Sequence, residues 1–126
     1  MKTIGARRVT FRVGDFWESP VLHILLTKED NVVVARCLDF TVSAHGQDEK
    51  DAMKSLTEVI KEYVITAIEN DAIESIYDSA HSKYWRMYNE IESRQVGTKV
   101  KKTLKNSFAT LSKKEFQHTT AEMNYA

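Results

Sequence analysis

The chain has 126 residues, with 18 Lys/Arg, 18 Asp/Glu and 42% apolar residues, enough for one domain with a modest core of its own. A single cysteine excludes an internal disulfide. The opening MKTIGARRVTFRVGDFWESP lacks the apolar core of a leader, and no run approaches a membrane span, so the expected compartment is the cytoplasm. The zero net charge hides an asymmetry: residues 1–93 carry 11 Lys/Arg against 16 Asp/Glu, and residues 94–126 carry 7 against 2. All seven of those bases lie between Arg94 and Lys114, where there is no acid. An acidic body over 1–93 and a basic, helical tail over 94–126 are expected to present different surfaces.

Val9 to Val13 alternates apolar and polar residues as a half-buried strand does. Gly14-Asp15 ends it and Pro20 breaks the connection. Val21–Lys28 reads as a second strand, Glu29-Asp30-Asn31 as a turn, and Val32–Cys37 as a third strand paired to the second. Thr41–His45 is a fourth, closed by Gly46.

Asp48 then has the chemistry of a helix N-cap, with Asp51 in the capping-box position. Behind it Ala52, Leu56, Val59, Ile60, Tyr63, Ala67 and Ile68 fall on one helical stripe. Asn70-Asp71 offers an end, and Asp71 with Glu74 resembles a second capping box. Ile73, Ile76, Tyr77, Ala80, Tyr84, Met87, Tyr88 and Ile91 make a second stripe, either on a second helix or on one long kinked helix. Val96-Gly97 interrupts the pattern before a thin stripe of Val100, Leu104, Phe108 and Leu111. The fold class this predicts is α+β: an antiparallel meander of three to four strands packed on a long helix, with further C-terminal helices.

Candidate chemistry concentrates in CLDFTVSAHGQD, residues 37–48, which holds Cys37, Asp39 and His45. A nucleophile needs a base within reach and a third group to orient it, and nothing in this spacing supplies the set. The favoured reading is a buried thiol beside a loop carboxylate and a strand-end imidazole. His23, His45, His81 and His118 are widely separated and form no paired metal-ligand motif. No glycine-rich phosphate loop occurs. No catalytic, metal or cofactor site is therefore assigned. Tyr77, Tyr84, Trp85 and Tyr88 could stack on nucleobases, but spacings of seven and four among the tyrosines favour packing.

The segment 28–68 resembles the HicB-like antitoxin domain. The pattern runs through an acidic hairpin turn (Glu29-Asp30-Asn31), a strand ending in a Cys-containing loop (Val33 to Asp39), a short strand ending in glycine (Val42 to Gly46), and a capped helix from Asp48 to Ile60. The resemblance implies a truncated RNase H-like fold and a non-enzymatic protein that covers a toxin, a small ribonuclease of the HicA type. Gly46 would give the elbow an unrestricted backbone, and Asp48 would replace the family's threonine cap. After the helix, a second strong helical stripe stands where family members usually place a further strand. No recognisable DNA-binding motif follows in 94–126.

Three surfaces follow as expectations. Asp48, Glu49, Asp51, Glu58 and Glu62, on the exposed flank of the first helix, would meet a small basic partner protein. Tyr77, Tyr84, Met87, Tyr88 and Ile91 would lie at a homo-oligomer interface, because the second stripe is more apolar than one small body needs. Arg94, Lys99, Lys101, Lys102, Lys105, Lys113 and Lys114 would, in the alternative reading, grip DNA or RNA phosphates.

Overall fold

The computed structural model describes residues 1–15, 17–108 and 120–124. It is an α+β protein. Strands β1 (Lys2–Val9), β4 (Leu22–Glu29), β5 (Val32–Cys37) and β6 (Val42–Gly46) form an antiparallel sheet in the order β1-β4-β5-β6. Between β1 and β4, the two-residue strands β2 (Arg12–Val13) and β3 (Trp17–Glu18) make a separate small ribbon. Helix α1 spans Glu49–Glu69, a 3-10 turn covers Ile73–Ser75, and helix α2 spans Ser82–Phe108. The chain divides into two compact units, Met1–Ser93 and Arg94–Ala126, with the boundary inside α2. No helix among the described residues is long and apolar enough to cross a membrane.

The strand expected over 9–13 is instead the end of β1 and the start of β2. Phe11 interrupts it, because its N–H donates to Ser19 Oγ and its carbonyl accepts from Ser19 N–H, both at 2.7 Å. These bonds hold Phe11 against Ser19, and Gly14 adopts a left-handed φ of 51°. β1 itself starts at Lys2, masked in the sequence by small Gly5 and Ala6 and by two arginines.

β4 lies in the middle of the sheet and is covered on both faces. Leu22, Ile24 and Leu26 point to one side, and Leu25 and Thr27 to the other, all five essentially buried. This explains the near-continuous apolar run Val21–Leu26, since a strand with one wet face alternates. Pairing Ile24 with Cys37, and Cys37 with Val42, puts the side chains of all three on the same face. On that face the sheet meets α1 through Ala52, Leu56, Ile60 and Val64.

The stripe on α1 follows its expected course through Ala52, Leu56 and Ile60, which are buried, with Val59, Tyr63 and Ala67 half-buried, and departs from it only near the end of the helix. Val64 is fully buried, whereas Ile68 is 40% exposed. Asp48 caps the helix as expected: its carboxylate accepts from Asp51 N–H at 2.8 Å, and Asp51 accepts from Gln47 N–H at 2.9 Å. Gly46 is required for closeness and not for a left-handed backbone. A side-chain carbon there would run into the Asp51–Ala52 backbone.

α1 ends at Asn70, with Asp71 left-handed at φ 52° and Ala72 N–H closing back on the Ala67 carbonyl at 2.7 Å. One long kinked helix is therefore excluded. The expected Asp71/Glu74 cap does not form. A 3-10 turn preceded by Ala72, without a side-chain cap, takes its place. Residues 76–81 then run without helix. Asp78 and Ala80 donate their N–H groups to the carbonyls of Asp39 and Leu38, each at 2.8 Å, and Thr41 Oγ1 donates to the Asp78 carbonyl. Backbone groups used across the chain cannot also close helical turns. α2 therefore starts at Ser82, and it continues through Val96-Gly97, which the sequence pattern marks as an interruption.

Candidate functional site

Cys37, Asp39 and His45 do not assemble. Cys37 is fully buried in the core under α1, and burial pushes its thiol up to about 11. It is thus held as a neutral thiol at physiological pH, the opposite of an activated nucleophile. His45 points to the other face of the sheet: Cys37 pairs with Val42, and His45 lies three residues further along β6.

Asp39 turns to His23, which sequence spacing left unassigned. One carboxylate oxygen accepts from the His23 backbone N–H at 2.7 Å, and the other lies 3.1 Å from Nδ1. The His23 ring meets Trp85 and Tyr88 edge-on, with centroids at 5.3 Å and 5.5 Å. Tyr88 donates its hydroxyl to Glu92 at 2.5 Å, and Arg8 grips the same carboxylate at 2.9 Å and 2.7 Å. The two hydrogen bonds, Arg8 first and Tyr88 second, hold Glu92 down to about 2. Burial and the bond to Glu92 push the Tyr88 phenol well above its ordinary range. No buried side-chain polar atom among the described residues lacks a hydrogen-bond partner. The arrangement fixes the start of α2 on the sheet.

This accounts for the second apolar stripe. Tyr88 is 1% exposed and packs with Ala6, Leu25 and Leu38, while Tyr84, Met87 and Ile91 lie against the same cluster. The sheet face opposite α1 is covered in part by the chain's own second helix, and Tyr88, expected at a homo-oligomer interface, is spent there. Tyr77 stands apart at 63% exposure.

Beside the cluster lies a cleft of about 280 Å³, bounded by Arg36, Tyr84, Ala80, Thr41 and Ser43. Arg36 donates to Thr27 Oγ1 at 2.7 Å and to Glu29 at 3.0 Å, with its guanidinium 4.9 Å from the Tyr84 ring centre. Its charge is therefore already engaged.

The five carboxylates expected to meet a partner divide into two groups. Asp48 and Asp51 are used in the cap, and Glu49 takes a two-point bond from Arg7 at 2.7 Å and 3.3 Å. Glu58 and Glu62 are exposed, one turn apart on α1, and enter no ion pair among the described residues. Lys54 and Lys61 are exposed on the same helix. In the second unit Arg94, Lys99, Lys101, Lys102 and Lys105 are all exposed on α2, whereas Lys113 and Lys114 lie outside the described residues. No group of three His, Cys, Asp or Glu side chains able to hold a metal occurs among the described residues.

No family model matches this chain, and no solved structure does. Among curated proteins it is similar to Protein NETWORKED 2B of Arabidopsis thaliana, at 23% identity over 79 residues. That match covers 63% of this chain and spans about 8% of the plant protein's length.

Proposed function

We propose that this chain is a non-enzymatic, HicB-like binding protein of the antitoxin type, which engages a small basic protein, a ribonuclease toxin of the HicA kind. The observation that carries the reading is the β5–β6–Gly46–α1 elbow. The residues on which the sequence resembles the HicB-like domain are those that build it: Cys37 in the core, Gly46 against the helix backbone, and Asp48 on the first turn. The partner surface is the solvent side of α1, and within it Glu58 and Glu62, since the other three carboxylates already serve the fold. Such rim charges set encounter rate and partner choice more than total affinity.

The test is co-purification of the native protein from its own source, with mass spectrometry of what accompanies it. The expected companion is a small basic protein. Its association should weaken at least tenfold in the Glu58→Lys, Glu62→Lys double variant and should fall with salt. Recovery of the protein alone, or a companion indifferent to both changes, overturns the reading.

One observation favours a second reading, nucleic-acid binding. Arg94, Lys101 and Lys105 are exposed and, at spacings of seven and four, share one side of α2. Replacing Lys101, Lys102 and Lys105 by glutamine should then reduce the slope of log affinity against log salt by roughly 0.9 per lost contact on duplex DNA.

A further inference from the structure

The two edges of the main sheet are built differently. β1 carries an irregularity between Thr3 and Gly5 and the cations Lys2, Arg7 and Arg8. Bulges and charges are the devices by which an edge refuses a further strand. β6 has neither. It pairs with β5 in unbroken register from Val33↔Gly46 to Cys37↔Val42, and its sequence VSAHG contains no Lys, Arg, Asp, Glu or Pro. Among the described residues β5 is its sole strand neighbour, so the outer N–H and C=O groups of β6 form an open ladder.

We propose that β6 is the docking strand for a second copy of this chain, the two β6 strands pairing antiparallel about a two-fold axis at Ala44. An isologous contact must be self-complementary, and this strand is. Centring the axis on Ala44 sets Val42 opposite Gly46 and Ser43 opposite His45. On the α1 side, half-buried Val42 and Ala44 extend the apolar core across the axis. On the other side, Ser43 and His45 are both exposed, a hydroxyl facing an imidazole at cross-strand distance. The cleft bounded by Ser43, Tyr84 and Arg36 opens beside that position, with room for an incoming ring. The product is one continuous eight-stranded sheet with both β6 edges consumed, made without Tyr88.

Charge complementation tests this. Variant one carries Ser43→Lys with His45→Lys, and variant two carries Ser43→Glu with His45→Glu. Both positions are exposed, so the fold should hold, and circular dichroism with thermal melting verifies it. At micromolar concentration and low salt, light scattering should give the parent twice the 14.5 kDa chain mass. Each variant should be monomeric, because like charges then face each other across the axis. An equimolar mixture of the two should recover the dimer mass. A monomeric parent overturns the proposal, including one that gains mass only with an extended segment of another protein. Folded variants that stay dimeric overturn it, and so does a mixture that stays monomeric.

Discussion

On one face of the sheet, α1 meets Leu22, Ile24 and Leu26 of β4 and Val33, Ala35 and Cys37 of β5 through Ala52, Leu56, Ile60 and Val64, a core of apolar side chains. On the other face, Ala6 and Leu25 are the floor under a cover of rings and ions, in which Asp39 bonds His23, His23 meets Trp85 and Tyr88, and Tyr88 and Arg8 both bond Glu92. The first face is held by area removed from water, which has no preferred direction. The second is held by directional bonds between polar groups that would be costly to leave alone. The polar face fixes which way the rings of α2 point.

Breaking the apolar face should have the largest effect. Leu56→Ala removes a fully buried side chain from the centre of the α1 contact and should cost about 2–5 kcal/mol in urea unfolding with an unchanged m-value. A smaller loss would mean that α1 can settle into the cavity and that this face is less tightly packed than the contrast assumes.

On the polar face, Tyr88→Phe keeps the ring against His23 and removes the hydroxyl bonded to Glu92. The expected loss is about 1.5–3 kcal/mol, the range for a hydrogen bond to a charged group. Combining it with Glu92→Gln should be clearly non-additive, since the two side chains share one bond. Strict additivity in that cycle would show that the cluster does not act as a unit.

The smallest effect concerns pH. Glu92 is lowered from its ordinary 4.5 to about 2 in the folded chain. A carboxyl with a depressed folded value binds its proton more readily when unfolded. The stability from ionised Glu92 is therefore complete above 4.5 and is lost as pH falls from there through about 2. The Arg8 side chain is 59% exposed, so salt should weaken the effect further. The melting-temperature gap between parent and Glu92→Gln should narrow as the solution is acidified across that window. A gap that stays constant would place the Glu92 contribution outside the ion pair.

Neighbouring residues determined a good deal by themselves. β-branched Val32–Val34, the turn at Asp30-Asn31, Gly46 and the Asp48 cap each act within a few residues, so β4, β5, β6 and the start of α1 were legible from local chemistry. The α1 stripe was legible because a helical period repeats whatever surface it meets. Tertiary structure decided the rest. Arg8 and Glu92 are 84 residues apart, and His23 and Asp39 are 16 apart, Asp39 lying beyond the end of β5 and His23 in β4, so neither pair shows as a local motif. Apart from exposed Tyr77, the stripe from Ile73 to Ile91 marks residues that are buried or half-buried. A period cannot tell, however, that the carbonyls of Leu38 and Asp39 claim the N–H groups of Ala80 and Asp78 and delay α2 to Ser82. Nor can it tell whether Tyr88 faces a second subunit or the chain's own sheet. An apolar pattern specifies that a side chain leaves water, and only the positions of distant backbone and polar groups specify what it meets.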